Sequence, residues 1–580
     1  MKKTLLFVIS IFFVINIFSQ NIELSNRLID QYKNNQQKSK QKNTSVTNHL
    51  WLTPLLKVAV NNWQELTQEA KDIFAPYLQR PTFSGTEQTI TSGNFVIHFT
   101  TDSGYDQEDV PTTDNNSNSI PDYIDSVISK FTKVYNLYHT STELTVPPQD
   151  GTAGGNAKYD VYISGDEAGD GVYGYVAPET NIGNNPNSSG LTEIDAYTSF
   201  MVLRNNYIGY GNEDIALSVT TAHEYMHATQ FGYTGNMDSW FMEACATWSE
   251  DYVFSGFDDN FQYLSEIFST PDVALDISDT ELSGTFDSHW YGAWIWVRFM
   301  TEHSNNSIIK NIYENCIDYY AFQAIDMALN SFALNFNDLF KNFAIANRIM
   351  HIPNIPAQYT YARAYDYDNY LSFNDLYNYE TTLSYTGTNL SFNSNTQGNQ
   401  RLMRNSVDYI KINSTQNFQL TFTKADPNAN YDIVLLKIGN NSVEVVDPVH
   451  QNNNSIVTLN DYSLWNYFVV AVIRFDGTAN NQTENSKQYT IAISQYVGLE
   501  NIKQNFAIYP NPASQYIVID GKKEIYNKVE ITDINGKKVY EIRATDKSNK
   551  IDISKLQKGI YFVSLLNNDK LIKTEKIAIN

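Results

Sequence analysis

His223-Glu224-Tyr225-Met226-His227 is the stretch from which the rest of this chain is read. It lies within Asp214 to Tyr233, a segment whose spacing predicts a helix. Two histidines four residues apart project from one helix face, one turn apart, so both imidazoles can reach a single zinc ion. The glutamate between them points to the side, where it can touch a water without ligating the metal. Asn212-Glu213-Asp214 supplies a cap and negative charge at the helix start, and Gly232 suits its end. Ile215, Val219, Ala222 and Met226 recur at helical spacing and predict a buried stripe beside the histidine face. The plainer alternative is a pair of satisfied polar histidines on a half-buried face.

Catalytic zinc needs a third protein ligand and one open position. Gln230 and Tyr233 stand where a glycine and a histidine would extend the motif, so the third ligand lies elsewhere. Asp238 or Ser239 can cap a second helix running to about Phe254, with Gly256 after it. Glu243 falls in its first turn and Glu250 two turns later on the same face, and both are candidates. Trp240-Phe241-Met242-Glu243-Ala244-Cys245-Ala246-Thr247 resembles the W-x-x-E-G-x-A phrase of the gluzincin metallopeptidases, although the loop after His227 is shorter than in their best-known members. The resemblance implies an α+β zincin-like domain with His223, His227 and Glu243 as zinc ligands and Glu224 as the acid–base. It implies peptide-bond hydrolysis, with an oxyanion donor from Ser288-His289-Trp290-Tyr291-Gly292, either Tyr291 or His289. Tyr291 could equally be packing in an aromatic-rich helix. Thr247 and Asp251, each a turn further along, could support a ligand or lie on the helix surface. By the same analogy, Thr198 to Asn205 is expected as the edge strand that pairs with extended substrate.

The two ends of the chain carry their own signals. Lys2 and Lys3 precede an apolar run from Leu5 to Phe18, the pattern of a secretory signal peptide over residues 1–20. No later stretch approaches 18 consecutive apolar residues, so no transmembrane span is expected in the mature chain. Residues 505–580 read as short strands, with Asn535-Gly536 as a hairpin turn. Tyr509-Pro510-Asn511-Pro512, Asp533 to Lys537 and Leu556 to Val563 closely resemble the C-terminal sorting domain of the type IX secretion system of Bacteroidota. That resemblance implies an immunoglobulin-like sandwich, engagement of the type IX machinery, and a secreted or surface-attached product.

Charge divides the chain in the same place. The whole carries a formal net charge of −24, yet residues 505–580 hold 13 Lys and Arg against nine Asp and Glu. So acidic a body disfavours nucleic-acid and anionic-membrane partners. The expected organisation is multidomain. A polar and helical segment, 21–90, contains a helical piece from Trp51 to Leu78 and is either a propeptide or an N-terminal cap. An α+β zincin-like domain follows over 91–356, then two all-β sandwiches over 386–496 and 505–580. Cys245 and Cys316 are too few for a disulfide framework, and the unpaired reading is preferred.

Asp114, Asn116, Asn118, Asp122 and Asp125 place oxygen donors at loop positions 1, 3, 5, 9 and 12, with the Ile120 carbonyl at 7. This is the spacing of a calcium loop feeding a helix. A plain Asn/Asp turn capping that helix is the alternative. The expected function is a secreted zinc metallopeptidase acting on protein or peptide. Its rivals are an inactive zincin scaffold serving as an adhesin or glycan binder, and a zinc hydrolase of a non-peptide amide or ester.

Overall fold

The computed structural model describes residues 22–34, 52–165, 172–209, 211–277, 289–350, 352–353, 355–371, 380–397, 402–451, 454–475, 487–496, 507–520, 526–543, 550–567 and 570–580. The expected signal peptide lies outside them. The chain is a multidomain α+β protein.

The first sheet has five strands: β1 (Gln88–Ser92), β2 (Phe95–Phe99), β3 (Tyr159–Ile163), β4 (Gly174–Gly183) and β5 (Ala196–Leu203), in the order β1-β2-β3-β5-β4. β2, β3 and β5 run parallel, and β4 turns back antiparallel along β5. The expected edge strand at 198–205 is therefore corrected. That segment is β5, all eight of its residues are buried, and it has a neighbour on each side. Burial of all eight residues, Thr198 and Ser199 included, marks an interior strand, and the edge falls to β4.

The sheet is covered on both faces. On one, α4 (Asp122–Tyr135), α5 (Glu213–Phe231) and α6 (Ser239–Val253) pack against Phe95, Ile97, Val161, Val176 and Met201 in the main core. On the other, an N-terminal layer buries Tyr162, Tyr175, Ala177, Phe200 and Val202 in a separate cluster. That layer is α1 (residues 22–34), α2 (Leu52–Asn61) and α3 (Gln68–Phe74). The single helical piece expected from 51 to 78 is thus broken, because the Thr67 side chain accepts from Ala70 N and starts a new helix. Arg80 pins the end of the layer to the sheet, pairing with Asp150, Asp160 and Glu179.

Further helices, among them α7 (His289–Gly292), α8 (Trp294–His303) and α9 (Phe336–Ile349), complete the domain. A sandwich follows: one sheet orders the strands Val443–Val446, Tyr431–Ile438, Tyr467–Arg474, Ser406–Ser414 and Thr381–Tyr385, the other Val449–Gln451, Asn454–Leu459, Phe418–Lys424, Tyr489–Gln495 and Leu390–Asn393, around their own core. It starts at Thr381, slightly before the expected 386, since that strand pairs in parallel with residues 410–414. The Tyr409 hydroxyl donates to the Ala344 carbonyl of α9 at 2.6 Å, seating the sandwich on the helices. Residues 507–580 form three- and four-stranded sheets around a third small core, with Asn535-Gly536 at a hairpin where Gly536 has φ 77°. Cys245 and Cys316 are both buried free thiols.

Candidate metal centre

α5 starts as its residues predict, for the Asn212 side chain accepts from the backbone N–H groups of Asp214 and Ile215. It is less amphipathic than expected. Every residue from Ala216 to Phe231 is buried, so the stripe around Met226 is one side of a helix enclosed all round. α6 begins after Asp238, whose carboxylate accepts from Ala321 N at 2.5 Å and does not cap α6 through its side chain. The two helices cross with their polar residues facing each other in an otherwise apolar core.

The facing residues sort by ring nitrogen. His223 Nε2 lies 3.1 Å and His227 Nε2 3.3 Å from the two oxygens of Glu243. The outer nitrogens are held by other side chains: His223 Nδ1 by Glu250 at 2.8 Å, and His227 Nδ1 by Gln230 at 2.8 Å. Gln230 is fixed in turn, its amide donating to the Met242 carbonyl at 3.1 Å and to the Tyr313 hydroxyl at 2.9 Å. Glu243 and Glu250 therefore play different parts. Glu243 faces the inner nitrogens with both histidines, and these three residues bring ligand atoms within 4.8 Å of one another. Glu250 sits behind one ring, where a carboxylate fixes tautomer and orientation.

Burial sets the electrostatics. Charge on His223 is opposed by desolvation, but the carboxylates of Glu243 and Glu250 outweigh it and raise the imidazole well above its ordinary value. Desolvation would lift Glu243, yet the facing imidazoles of His227 and His223 hold it below the usual carboxylate range. Glu250 is pushed up to about 7 by burial, partly offset by its bond to His223. Glu224 is raised by burial, against the pull of the His223 and His227 charges. Its Oε2 accepts from the Thr53 hydroxyl of α2 at 3.1 Å, and that hydroxyl oxygen accepts from Val176 N on β4 at 3.0 Å.

Tyr291 lines the recess beside His223, stacking on its ring at 5.7 Å, and is itself stacked by Tyr263 at 4.9 Å. Tyr173, Gly174, Thr220 and Glu224 form other walls of that recess, whose cavity volume is about 20 Å³. His289 is directed elsewhere, with Nδ1 3.2 Å from the Glu266 carbonyl, and burial lowers its pKa to about 4. Thr247 is fully buried, and no hydrogen bond joins its hydroxyl to the three converging residues. Asp251 is buried too, paired with Arg298 at 3.0 Å and Arg363 at 3.2 Å, so neither is helix surface.

The supporting residues Gln230 and Thr53 do not stand out in the sequence. Gln230 had a local signal, its place three residues after His227 on the same helix. Thr53 had none, being 171 residues from Glu224.

Residues 115–119 are exposed, and the loop that leads into α4 folds on its own N–H groups. Asp114 accepts from the backbone of Asn118 and Ser119, and Asp125 accepts from the side chains of Asn116 and Asn118. Asp122 is taken up by Asn115, and Ile120 N donates to Asn118. Asp114, Asn116, Asn118 and Asp125 thus gather at one end of α4.

Residues 507–580 match the family model described as the secretion system C-terminal sorting domain. That domain engages the type IX machinery, and the chain is exported by this route to the cell surface or the extracellular space. No helix among the described residues is long and apolar enough to cross a membrane. No curated protein matches the chain. Among solved structures, a DUF4785 family protein from Legionella pneumophila aligns at 8% identity and a TM-score of 0.13, covering 33% of this chain and 60% of that one. The full extracellular region of zebrafish Gpr126/Adgrg6 aligns at 11% identity and a TM-score of 0.16, covering 34% and 33%.

Proposed function

We propose that this chain is an exported zinc metallopeptidase of gluzincin type. The observation that carries the reading is the sorting of ring nitrogens, with both Nε2 atoms turned toward the Glu243 carboxylate and both Nδ1 atoms fixed by side chains behind. Two imidazoles and one carboxylate are a donor set suited to catalytic zinc, and the buried hydrogen-bonded layer behind the rings suits a metal site. His223, His227 and Glu243 would hold the ion, which when bound lowers the pKa of water and polarises a carbonyl.

The chain's own residues would do the rest. Glu224, raised by burial and lining the recess, would take a proton from the attacking water and return it to the leaving amine. Tyr291, a residue of the recess wall, would supply its hydroxyl to the developing oxyanion. Its stack on His223 favours it over His289, whose ring is occupied at Glu266. The acidic body and the export tail suit an extracellular enzyme.

The test pairs metal analysis with casein cleavage for the wild type and Glu224→Ala. Wild type should hold one zinc per chain and cleave, while the variant keeps its zinc and loses about 10²- to 10⁴-fold in turnover. Equal cleavage by both proteins would remove Glu224 from the mechanism. A chain without zinc or cleavage would leave the adhesin reading standing.

Calcium at residues 114–125 is a separate proposal, supported by the gathering of Asp114, Asn116, Asn118 and Asp125 at the start of α4. Calcium at millimolar concentration should raise the Tm of the wild type and leave Asp114→Ala unchanged. Equal shifts in both would assign the loop to capping alone.

A further inference from the structure

α2 reads LTPLLKVAVN, an apolar helix interrupted by Thr53, Lys57 and Asn61 at intervals of four. Residues so spaced share one helix face, and all three bond to the domain that carries the candidate metal centre. Thr53 bridges Val176 N and Glu224. Lys57, only 6% exposed, donates to the Met237 carbonyl and to Ser239 Oγ, both at 2.7 Å, where α6 begins. Asn61 donates to the Gly235 carbonyl at 2.8 Å. The polar face of α2 is thus clasped along the line from edge strand β4 to the two candidate ligand helices.

The position of Thr53 decides what this does. β4 is an edge strand, and in an antiparallel pair alternate residues turn their N–H and C=O groups away from the neighbour. Val176 is turned outward, because its N–H reaches Thr53. By the two-residue period Gly174 and Pro178 share that orientation, and Pro178 ends the row of donors. An extended peptide pairing with this edge needs the Val176 N–H, and a peptidase acting on it needs the Glu224 carboxylate. One hydroxyl oxygen occupies both, at 3.0 and 3.1 Å. The gap between strand edge and carboxylate is spanned by a single atom, and a substrate backbone laid there meets Thr53. The recess that remains, about 20 Å³, has room for about one water molecule and none for a substrate.

We propose that α2 is an inhibitory segment seated in the peptide-binding cleft, and that the β4 edge beneath it, around Gly174 and Val176, takes the substrate backbone once α2 leaves. The inference rests on the peptidase reading above. The apolar residues of α2 pack mostly apart from the core that holds the metal-centre helices. Leu52, Leu55, Leu56 and Ala59 pack in the satellite cluster with α1, α3 and the far face of the sheet, and only Val60 at the end of α2 touches the main cluster to which the metal-centre helices belong.

Two variants of the full secreted chain test it, Thr53→Val, which keeps side-chain shape and removes the hydroxyl, and Lys57→Met. Losing a hydrogen bond to a charged group should raise the open fraction about ten- to hundredfold. Casein cleavage and the rate at which a chelator strips zinc should rise together in both variants. Hydrogen exchange, which needs neither zinc nor turnover, should quicken over 52–61 and 174–178 while 213–253 is unchanged. If zinc and cleavage are absent throughout, the peptidase reading fails, and exchange alone still judges the latch. Slower cleavage by Thr53→Val with zinc retained would make Thr53 a support for Glu224 and overturn the proposal. Unchanged exchange, or full activity in a chain that retains residues 52–61 in place, would overturn it as well.

Discussion

Exchanging the two carboxylates of α6 separately is the sharpest check on the centre. Both Glu243 and Glu250 touch His223, one at Nε2 and 3.1 Å, the other at Nδ1 and 2.8 Å. If Glu243 is a ligand, Glu243→Gln removes one of three protein donors. Dividing the roughly 10–16 kcal/mol of a four-ligand zinc site evenly gives about 2.5–4 kcal/mol per ligand, or ~70- to 1000-fold in zinc affinity. Glu250→Gln leaves the ligand set whole and keeps an acceptor for Nδ1. Removing a partner behind a metal-bound histidine costs about 10- to 100-fold, and the retained amide oxygen places this change near the lower figure. Competition against a chromogenic chelator, at fixed pH and salt, measures both affinities, with melting curves confirming that each variant folds. The reasoning is refuted if Glu250→Gln weakens zinc as much as Glu243→Gln, or if Glu243→Gln binds as tightly as the wild type.

Two further outcomes concern stability. Burial, helped by the Asp272 charge and partly offset by the Tyr489 hydroxyl, pushes Asp408 in the first sandwich up to about 7. An acid raised in the folded state keeps a proton that the unfolded chain has released, so its contribution falls as pH climbs from about 4 to about 7 and stays low above that. Asp408→Asn should therefore melt higher than wild type at pH 8 and level with it near pH 4; the opposite trend in pH-dependent melting would reject the assignment. Arg80→Met should strip one of two partners from the fully buried Asp160 side chain, which keeps His98 at 2.9 Å, at a cost of about 1.5–3 kcal/mol. Denaturant unfolding that shifts by less than about 1 kcal/mol would show the cluster to be dispensable.

Some of this protein was already decided by residues close in sequence. The four-residue spacing of His223 and His227 puts their rings on one side of α5 wherever that helix goes. Capping by Asn212 and the hairpin at Asn535-Gly536 are equally local, resting on side-chain oxygens and a φ open to glycine. The tail could be recognised because its motifs sit within one 74-residue unit, the stretch that matches the sorting domain.

Contacts between distant elements were decided only by folding. Periodicity put Glu243 and Glu250 on one face of α6, but which of them meets the inner nitrogens depends on how α6 crosses α5. A mostly apolar stretch marks 196–203 as a strand without saying whether a neighbour lies beyond it, and the antiparallel return of β4 made it interior. No local pattern could bring Thr53 to Glu224, since sequence spacing carries direction along one element and nothing about its approach to another. That approach is set by apolar packing over the whole domain, which is why the two imidazoles could be read from the chain and the helix lying across their neighbour could not.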